Sequence, residues 1–120
     1  MIIILDFYLK SSEGIIKEKC SYKNINNKLT FNINNDKYIL EKGKDIRLKK
    51  ENNESILDFI YINNKDTEGT YYIKELNLYI DAKIKTNMIK KNDNLIHIKY
   101  ELYLQDNFID NFELKISIKE

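Results

Sequence analysis

The chain has 120 residues, of which 42% are hydrophobic and 32% charged, and its formal net charge is +1. That length supports one domain, residues 1–120, with a single core, and the near-neutral charge gives no reason to expect nucleic acid or an anionic membrane as a partner. The sole cysteine, Cys20, has no partner for an internal disulfide, which favours a reducing, cytoplasmic setting.

The N-terminal run Met1–Leu9 is predicted to be the first strand. It is too short to cross a membrane, and it has neither basic residues ahead of it nor the small-residue cleavage site of a signal peptide. Alternation places Ile3, Leu5, Phe7 and Leu9 on one apolar face. We therefore expect a strand and no membrane association.

The middle of the chain is predicted to contain further short strands separated by Asn-rich turns. No segment shows a convincing helical periodicity of 3.6 residues. The usual turn formers are rare, with 3 Gly and no Pro, and clusters of Asn take their place. The predicted strands are Ile15–Lys23, Leu29–Ile33, Tyr38–Glu41, Ile46–Lys49, Ser55–Ile62 and Gly69–Ile73.

The last 45 residues give the clearest pattern, because three consecutive stretches put apolar side chains on even-numbered positions. These stretches are Leu76–Lys90, Asn94–Leu104 and Phe108–Ile118. Period 2 over such lengths predicts half-buried antiparallel strands. Strands this long must coil, and the small Ala82 offers a place to bend. With the earlier strands they predict an all-β, antiparallel, mostly up-and-down barrel of about eight to ten strands.

The even-position pattern also predicts how these three strands pair. Their apolar faces stay together only if paired residue numbers share parity, which three-residue loops at Lys91–Asp93 and Gln105–Asn107 achieve. The predicted pairs are Ile84 with Tyr100 and Ile98 with Leu114 inside the barrel, and Lys83 with Glu101 and Lys99 with Glu113 outside it.

These C-terminal strands resemble the closing strands of the YwiB-like proteins, a family of uncharacterised bacterial proteins. The similarity is carried by Leu76–Ile84, Leu95–Leu102 and Phe112–Ile118, and it includes the aromatic and acidic pair Tyr100 and Glu101. The resemblance implies a calycin-like β-barrel. It implies no activity, only the analogy of that fold to lipocalins and fatty-acid-binding proteins.

The sequence offers little for catalysis or metal binding. His97, the only histidine, is predicted on the outer face as a solvated residue opposite Lys115, without the partners that a ligand or general base needs. Cys20 is predicted to be a buried structural thiol. The segment Asn64–Gly69 lacks the ligand spacing of a calcium loop. We expect no enzyme activity, no catalytic or metal-binding residue and no cofactor.

A basic stretch in the middle of the chain is a candidate nucleic-acid site. It contains Lys42, Lys44, Arg47, Lys49 and Lys50. Acidic residues interrupt it at Glu41, Asp45, Glu51 and Glu54. The alternation of signs predicts a solvated charged edge, and no nucleic-acid partner is expected.

The barrel interior is the remaining candidate site. A small barrel can hold one ligand, and a pocket needs an apolar wall with a few polar groups. The predicted lining is nearly all aliphatic, and the candidate ligand-lining residues are Tyr22, Ala82, Thr86 and Tyr100. The leading hypothesis is a non-enzymatic protein that binds a small apolar or amphipathic molecule in or at the mouth of the barrel. A solid packed core is the opposing interpretation, because gaps cost stability.

An alternative function is a structural or protein–protein interaction module that self-associates as a homodimer. The period-2 pattern leaves several aromatic or apolar residues outside or unassigned, and clusters of such residues often form interfaces. They are Tyr61, Tyr71, Tyr79, Tyr103 and Ile109.

Overall fold

Within residues 4–119, which the computed structural model describes, ten antiparallel strands form a closed barrel. The strands are β1 (Ile4–Ser11), β2 (Gly14–Ile25), β3 (Lys28–Ile33), β4 (Asp36–Lys42), β5 (Ile46–Glu51), β6 (Ser55–Tyr61), β7 (Asp66–Ile73), β8 (Leu78–Lys91), β9 (Leu95–Leu104) and β10 (Asn107–Lys119). Each strand pairs with the next in sequence, and β1 closes the barrel by pairing with β10. The predicted all-β antiparallel barrel is confirmed.

The strands predicted for the first part of the chain are present with slightly different ends. The first strand is described from Ile4 and runs to Ser11, and the predicted part at Met1–Ile3 lies outside the described residues. Leu5 and Phe7 are buried in the core, as their alternation predicts. The segments predicted between Ile15 and Ile73 correspond in order to β2 through β7. None of the described residues forms a helix long and apolar enough to span a membrane.

Aromatic rings fill much of the barrel interior. Phe31 stacks on Tyr38 with ring centroids 5.2 Å apart, and Phe7 lies 5.1 Å from Tyr38. Tyr100 stacks on Phe112 at 5.2 Å. The prediction of a nearly all-aliphatic lining is therefore wrong. The middle strands contribute aromatic rings to the interior, and the sequence pattern did not show which side of each strand these rings occupy.

The predicted register holds between β9 and β10. Ile98 lies opposite Leu114 and Lys99 opposite Glu113. The turn is different, because it has two residues, Gln105 and Asp106, both with left-handed backbone at φ 50° and 65°. Such a turn matches the twist of a hairpin. A bulge between Phe108 and Asp110 then restores the parity that the predicted three-residue loop would have given.

The predicted register between β8 and β9 is wrong. Thr86 rather than Ile84 lies opposite Tyr100, and Lys85 rather than Lys83 lies opposite Glu101. The bulge between Thr86 and Met88 contributes an extra residue, Asn87, whose side-chain amide donates a hydrogen bond to Glu101 at 3.2 Å. The loop between the strands is therefore Asn92–Asn94, one residue later than predicted.

The start of the predicted β8 segment lies outside the core. Leu76 precedes β8 in a turn and exposes 66% of its surface, and Leu78 is also exposed. β9 ends at Leu104, opposite Ala82, so β8 extends past its neighbour. The residues of β8 before Ala82 therefore have no core to pack against on the side of β9. The buried even-numbered positions of β8 begin at Ala82.

β2 contributes little to the core and leaves part of its edge unpaired. Its residues Gly14–Ser21 pair with β1, but only Tyr22–Ile25 pair with β3 within the described chain. Ile15 and Ile16 are exposed as a result. The barrel is closed, but the part of β2 that extends beyond its pairing with β3 leaves one side of that strand unpaired within the described chain.

Candidate ligand-binding cavity

A cavity of about 140 Å³ lies inside the barrel, towards the end formed by the turn between β5 and β6. Strands β1, β4, β5, β6, β9 and β10 supply its walls. Its apolar lining consists of Phe7, Leu9, Leu48, Leu57, Phe59, Leu102, Phe112 and Leu114. Leu9, Leu57 and Phe112 are only half-buried, whereas the other apolar residues are buried, so these three form the mouth.

The position of Phe59 in this wall depends on a glycine in the neighbouring strand. Gly69 lies opposite the small Ala82, between β6 and β8. A Cβ atom at Gly69 would lie 2.7 Å from the carbonyl oxygen of Asp58 and 2.8 Å from the Phe59 ring. The absence of a side chain at Gly69 therefore lets β6 bring Phe59 into the core.

Tyr38, Tyr61 and Tyr100 are the tyrosine residues that line the cavity. All are buried, and the rings of Tyr61 and Tyr100 meet edge to face. Burial raises the pKa of Tyr100 to about 12. Burial, with smaller contributions from Tyr100 and Tyr38, raises the pKa of Tyr61 well above its usual value. The hydroxyls therefore stay protonated at neutral pH and can donate hydrogen bonds.

The Tyr61 hydroxyl is fully buried and makes no hydrogen bond of normal geometry with the described residues. Its neighbour is the Tyr100 hydroxyl, whose interaction with it adds to the rise in the pKa of Tyr61. A buried polar group left in this state costs about 1–3 kcal/mol. A ligand atom that accepts its proton would remove that cost.

Lys50 is the charged group at the mouth. Within the described chain no other charged side chain lines the cavity, and 31% of the Lys50 side chain is exposed. Its ammonium lies 3.6 Å from the Asp36 carboxylate, which also accepts a hydrogen bond from the Asn52 side chain at 2.9 Å. An anion at the mouth would therefore share the Lys50 ammonium with Asp36.

The structure brings together only some of the site residues predicted from sequence. Tyr100 lines the cavity, and Thr86 lies opposite it on β8, fully buried, with no hydrogen-bond partner for its hydroxyl among residues 4–119. Ala82 is buried further along β8, opposite Leu104. Tyr22 is half-buried on β2 and packs outside the cavity.

Sequence reasoning missed Tyr38, Tyr61, Phe59 and Lys50. A signal was available in β6, where Leu57, Phe59 and Tyr61 alternate along one face. The period-2 pattern instead groups Tyr61 with the residues that lie outside the barrel or have no assigned side. The structure buries Tyr61 completely. Of that group, Tyr71 and Tyr103 are half-buried, and Tyr79 and Ile109 are exposed.

His97 is not the solvated residue that was predicted. It is half-buried on the outer face, and its Nε2 lies 2.6 Å from a carboxylate oxygen of Glu113. Lys115 lies opposite His97 as expected, and the strand alternation that puts it there also brings Glu113 within reach. The hydrogen bond with His97, with a smaller contribution from Lys115, lowers the pKa of Glu113.

The other chemical groups outside the cavity are paired or dispersed. Arg47 binds the Asp58 carboxylate through two hydrogen bonds of 2.9 and 2.7 Å. Cys20, predicted to be buried, is half-buried because it lies on the exposed strand β2, and partial burial raises the pKa of its thiol. Among residues 4–119, no three or more His, Cys, Asp or Glu side chains are placed to hold a metal ion.

Of the comparisons with known proteins, the structural one gives a match, and it shows the fold alone. The chain matches no known protein family in sequence, and no curated protein matches it. Its structure is similar to the crystal structure of the ywiB protein from Bacillus subtilis, with a TM-score of 0.57 and 11% sequence identity. The similarity covers 98% of this chain and 90% of that one, so the two share the architecture over almost their whole length.

Proposed function

We propose that this protein is a non-enzymatic binding protein that holds one small apolar or amphipathic molecule inside its barrel. The observation that carries the proposal is a largely apolar cavity lined by Tyr61, whose fully buried hydroxyl makes no hydrogen bond of normal geometry with the described residues. Binding pockets combine an apolar wall with a few polar groups that orient the ligand. Tyr38, Tyr61, Tyr100 and Lys50 are those groups here.

The cavity volume limits the size of the ligand. At about 140 Å³ it is close to the roughly 150 Å³ of an engineered apolar cavity that binds benzene, and it is well below the roughly 300–1,000 Å³ of drug-sized sites. A molecule with a single ring fits, whereas a long acyl chain does not. The proposed ligand is therefore compact, unlike the ligands of fatty-acid-binding proteins.

We also propose a protein family and a cellular compartment for this chain. The shared architecture and the resemblance of the three closing strands support grouping this chain with the YwiB-like proteins and describing its barrel as calycin-like. The unpaired Cys20 supports a reducing compartment, which we take to be the cytoplasm.

Thermal unfolding with one-ring compounds tests the proposal. Toluene and phenol should each raise the unfolding temperature saturably, because a molecule that binds only the folded state stabilises it. Leu57→Phe, at the mouth, should fill part of the cavity and abolish the effect. The matched control Leu78→Phe changes an exposed residue of β8 and should leave the effect intact. If no one-ring compound shifts the wild-type transition at millimolar concentration, the cavity does not serve binding.

Self-association is a second candidate, favoured by the open edge of β2. Residues Gly14–Ser21 pair with β1 but not with β3, and a strand edge of this kind can pair with another chain. The charged run Lys17–Lys19 works against this, because charges along an edge discourage pairing. A concentration-dependent dimer in sedimentation that disappears in Ile16→Lys would support self-association. A monomer at every concentration would exclude it.

A further inference from the structure

Lys50 and Tyr61, two polar residues of the cavity, belong to different levels of the barrel wall. Lys50 pairs with Leu57 across β5 and β6, whereas Tyr61 pairs with Ile46. Leu57 and Tyr61 are four residues apart on β6, which corresponds to roughly 13 Å of strand. Lys50 therefore stands beside Leu57 at the mouth, and the backbone of Tyr61 lies at the other end of the cavity wall.

The space between these ends suits a flat ring. Phe7, Phe59 and Phe112 line it together with the aromatic ring of Tyr100. Aromatic rings pack favourably face to face with an offset or edge to face. A cavity of this size lined by rings on several sides favours one aromatic ring over a branched aliphatic body of equal volume.

Each end selects a different chemical group. Lys50 is partly exposed, so it can bind an anion without complete loss of hydration. A full charge beside Tyr61 would be buried with no counter-charge, which is costly. A neutral oxygen is favoured there, because it can accept the Tyr61 proton while a hydroxyl hydrogen on it is accepted by Tyr38 or Tyr100.

Resting on the proposed function, we infer that the ligand is a single-ring aromatic carboxylate that carries a neutral oxygen group on the opposite side of the ring. Its carboxylate binds Lys50 at the mouth. Its ring fills the cavity between the phenylalanine side chains. Its distal oxygen is the missing hydrogen-bond partner of Tyr61.

Calorimetry with 4-hydroxybenzoate, benzoate and phenol tests this inference on the wild-type protein. The three probes share one benzene ring. 4-Hydroxybenzoate carries both polar groups, benzoate carries only the carboxylate, and phenol carries only the hydroxyl. We expect 4-hydroxybenzoate to bind about fivefold more tightly than either single-group probe, since one net hydrogen bond or one partly exposed ion pair is worth about 1 kcal/mol. Affinity for the two carboxylates should fall as salt is raised, and affinity for phenol should not.

Variants then assign each group to its partner. Tyr61→Phe should weaken the binding of 4-hydroxybenzoate about fivefold and leave that of benzoate nearly unchanged, since only the former uses the Tyr61 hydroxyl. Lys50→Met should weaken both carboxylates and leave phenol unchanged. Lys49→Met and Tyr79→Phe are the matched controls, because neither residue lines the cavity, and they should change no affinity. Circular dichroism checks that every variant is folded.

The outcomes separate this inference from the function on which it rests. If toluene and phenol bind but 4-hydroxybenzoate binds no more tightly than phenol, the ligand class is wrong and the binding function stands. Equal weakening of benzoate and 4-hydroxybenzoate in Tyr61→Phe would also overturn the assignment of the distal oxygen. If no one-ring compound binds, the binding function fails and the ligand class fails with it.

Discussion

Tyr61 and Tyr100 meet edge to face inside the barrel, with ring centroids 4.8 Å apart and planes inclined at 62°. They belong to β6 and β9, which do not pair with each other. Their contact therefore connects two parts of the wall through the interior, in addition to the backbone hydrogen bonds. Tyr100 also stacks on Phe112, so truncating its side chain would remove two ring contacts.

Tyr100→Ala should lower the free energy of unfolding by about 3–5 kcal/mol, because a large buried aromatic side chain is removed and a cavity remains. Tyr100→Phe should cost about 1 kcal/mol, the value of one hydroxyl interaction. Urea denaturation measures both. Tyr79→Ala is the control, since Tyr79 exposes 68% of its surface and should cost about 1 kcal/mol or less. A wild-type midpoint for Tyr100→Ala would mean that Tyr100 is not interior.

Thr86→Val should stabilise the protein by about 1 kcal/mol. The Thr86 hydroxyl is buried with no hydrogen-bond partner among the described residues, so replacing it with a methyl group removes a desolvation cost. Thr67→Val is the matched control and should destabilise the protein, because the Thr67 hydroxyl donates a hydrogen bond to the Ile60 carbonyl. Chemical denaturation compares the two. Destabilisation by Thr86→Val would reveal a partner for that hydroxyl, such as an ordered water.

Gly69→Ala should destabilise the fold by about 1–3 kcal/mol, through overpacking against Asp58 and Phe59. Gly43→Ala is the control, because the nearest atom to its added Cβ would be the Asp45 carbonyl oxygen at 3.7 Å, an ordinary contact. Thermal unfolding of the two variants distinguishes a steric requirement from a general effect of glycine. Equal effects would contradict the close approach of β6 and β8 at Gly69.

The hydrogen bond between His97 and Glu113 should make stability depend on pH at the acidic end. The pKa of Glu113 is lower in the folded protein than in the unfolded chain. Its contribution is therefore complete above the ordinary glutamate value of about 4.3 and is lost as pH falls through the folded value. The difference in unfolding free energy between wild type and Glu113→Gln should be larger at pH 7 than at pH 3.

A titration of the Glu113 carboxyl by NMR gives an independent test of the same pair. In His97→Leu the principal cause of the shift is removed, so the pKa of Glu113 should rise towards its ordinary value. An unchanged titration midpoint in His97→Leu would show that another group, such as Lys115, holds the carboxylate in its charged form.

The sequence predicted the parts of the barrel in which one face is buried over many residues. Ala82, Ile84 and Thr86 are buried on β8, and Ile98 and Tyr100 on β9, all at the predicted even positions. Alternation is decisive there because a slip by one residue would expose the whole apolar set. The same argument holds for the pairing of β9 with β10.

Bulges set the limit of that reasoning. Asn87 adds one residue to β8 at a position where nothing in the residue pattern requires it. Together with the later turn, which closes at the pair Lys91 and Ile96, it changes the partner of Ile84 from Tyr100 to Leu102. The geometry depends on contacts of the folded barrel, among them the Asn87 hydrogen bond to Glu101. Local sequence preference does not encode such contacts.

The cavity could be predicted only in part, because its wall is assembled from six strands that are distant in sequence. Tyr100 was predicted from its own strand. Tyr61 was missed because the apolar Ile60 beside it obscures the alternation of β6, and Tyr38 is followed by Ile39 in the same way. Whether side chains from separate strands fill the interior or leave a space depends on their summed volumes, which no single segment specifies.

The pairing of β1 with β10 has a consequence for how the barrel folds. Ile4 lies opposite Lys119, so these contacts join residues from the two ends of the described chain. All other neighbouring strands are consecutive in sequence and can form as local hairpins. Contacts of high sequence separation slow folding, since a long loop must be closed before they form. On the ribosome, the meander can grow strand by strand, but closure must wait until β10 has left the exit tunnel.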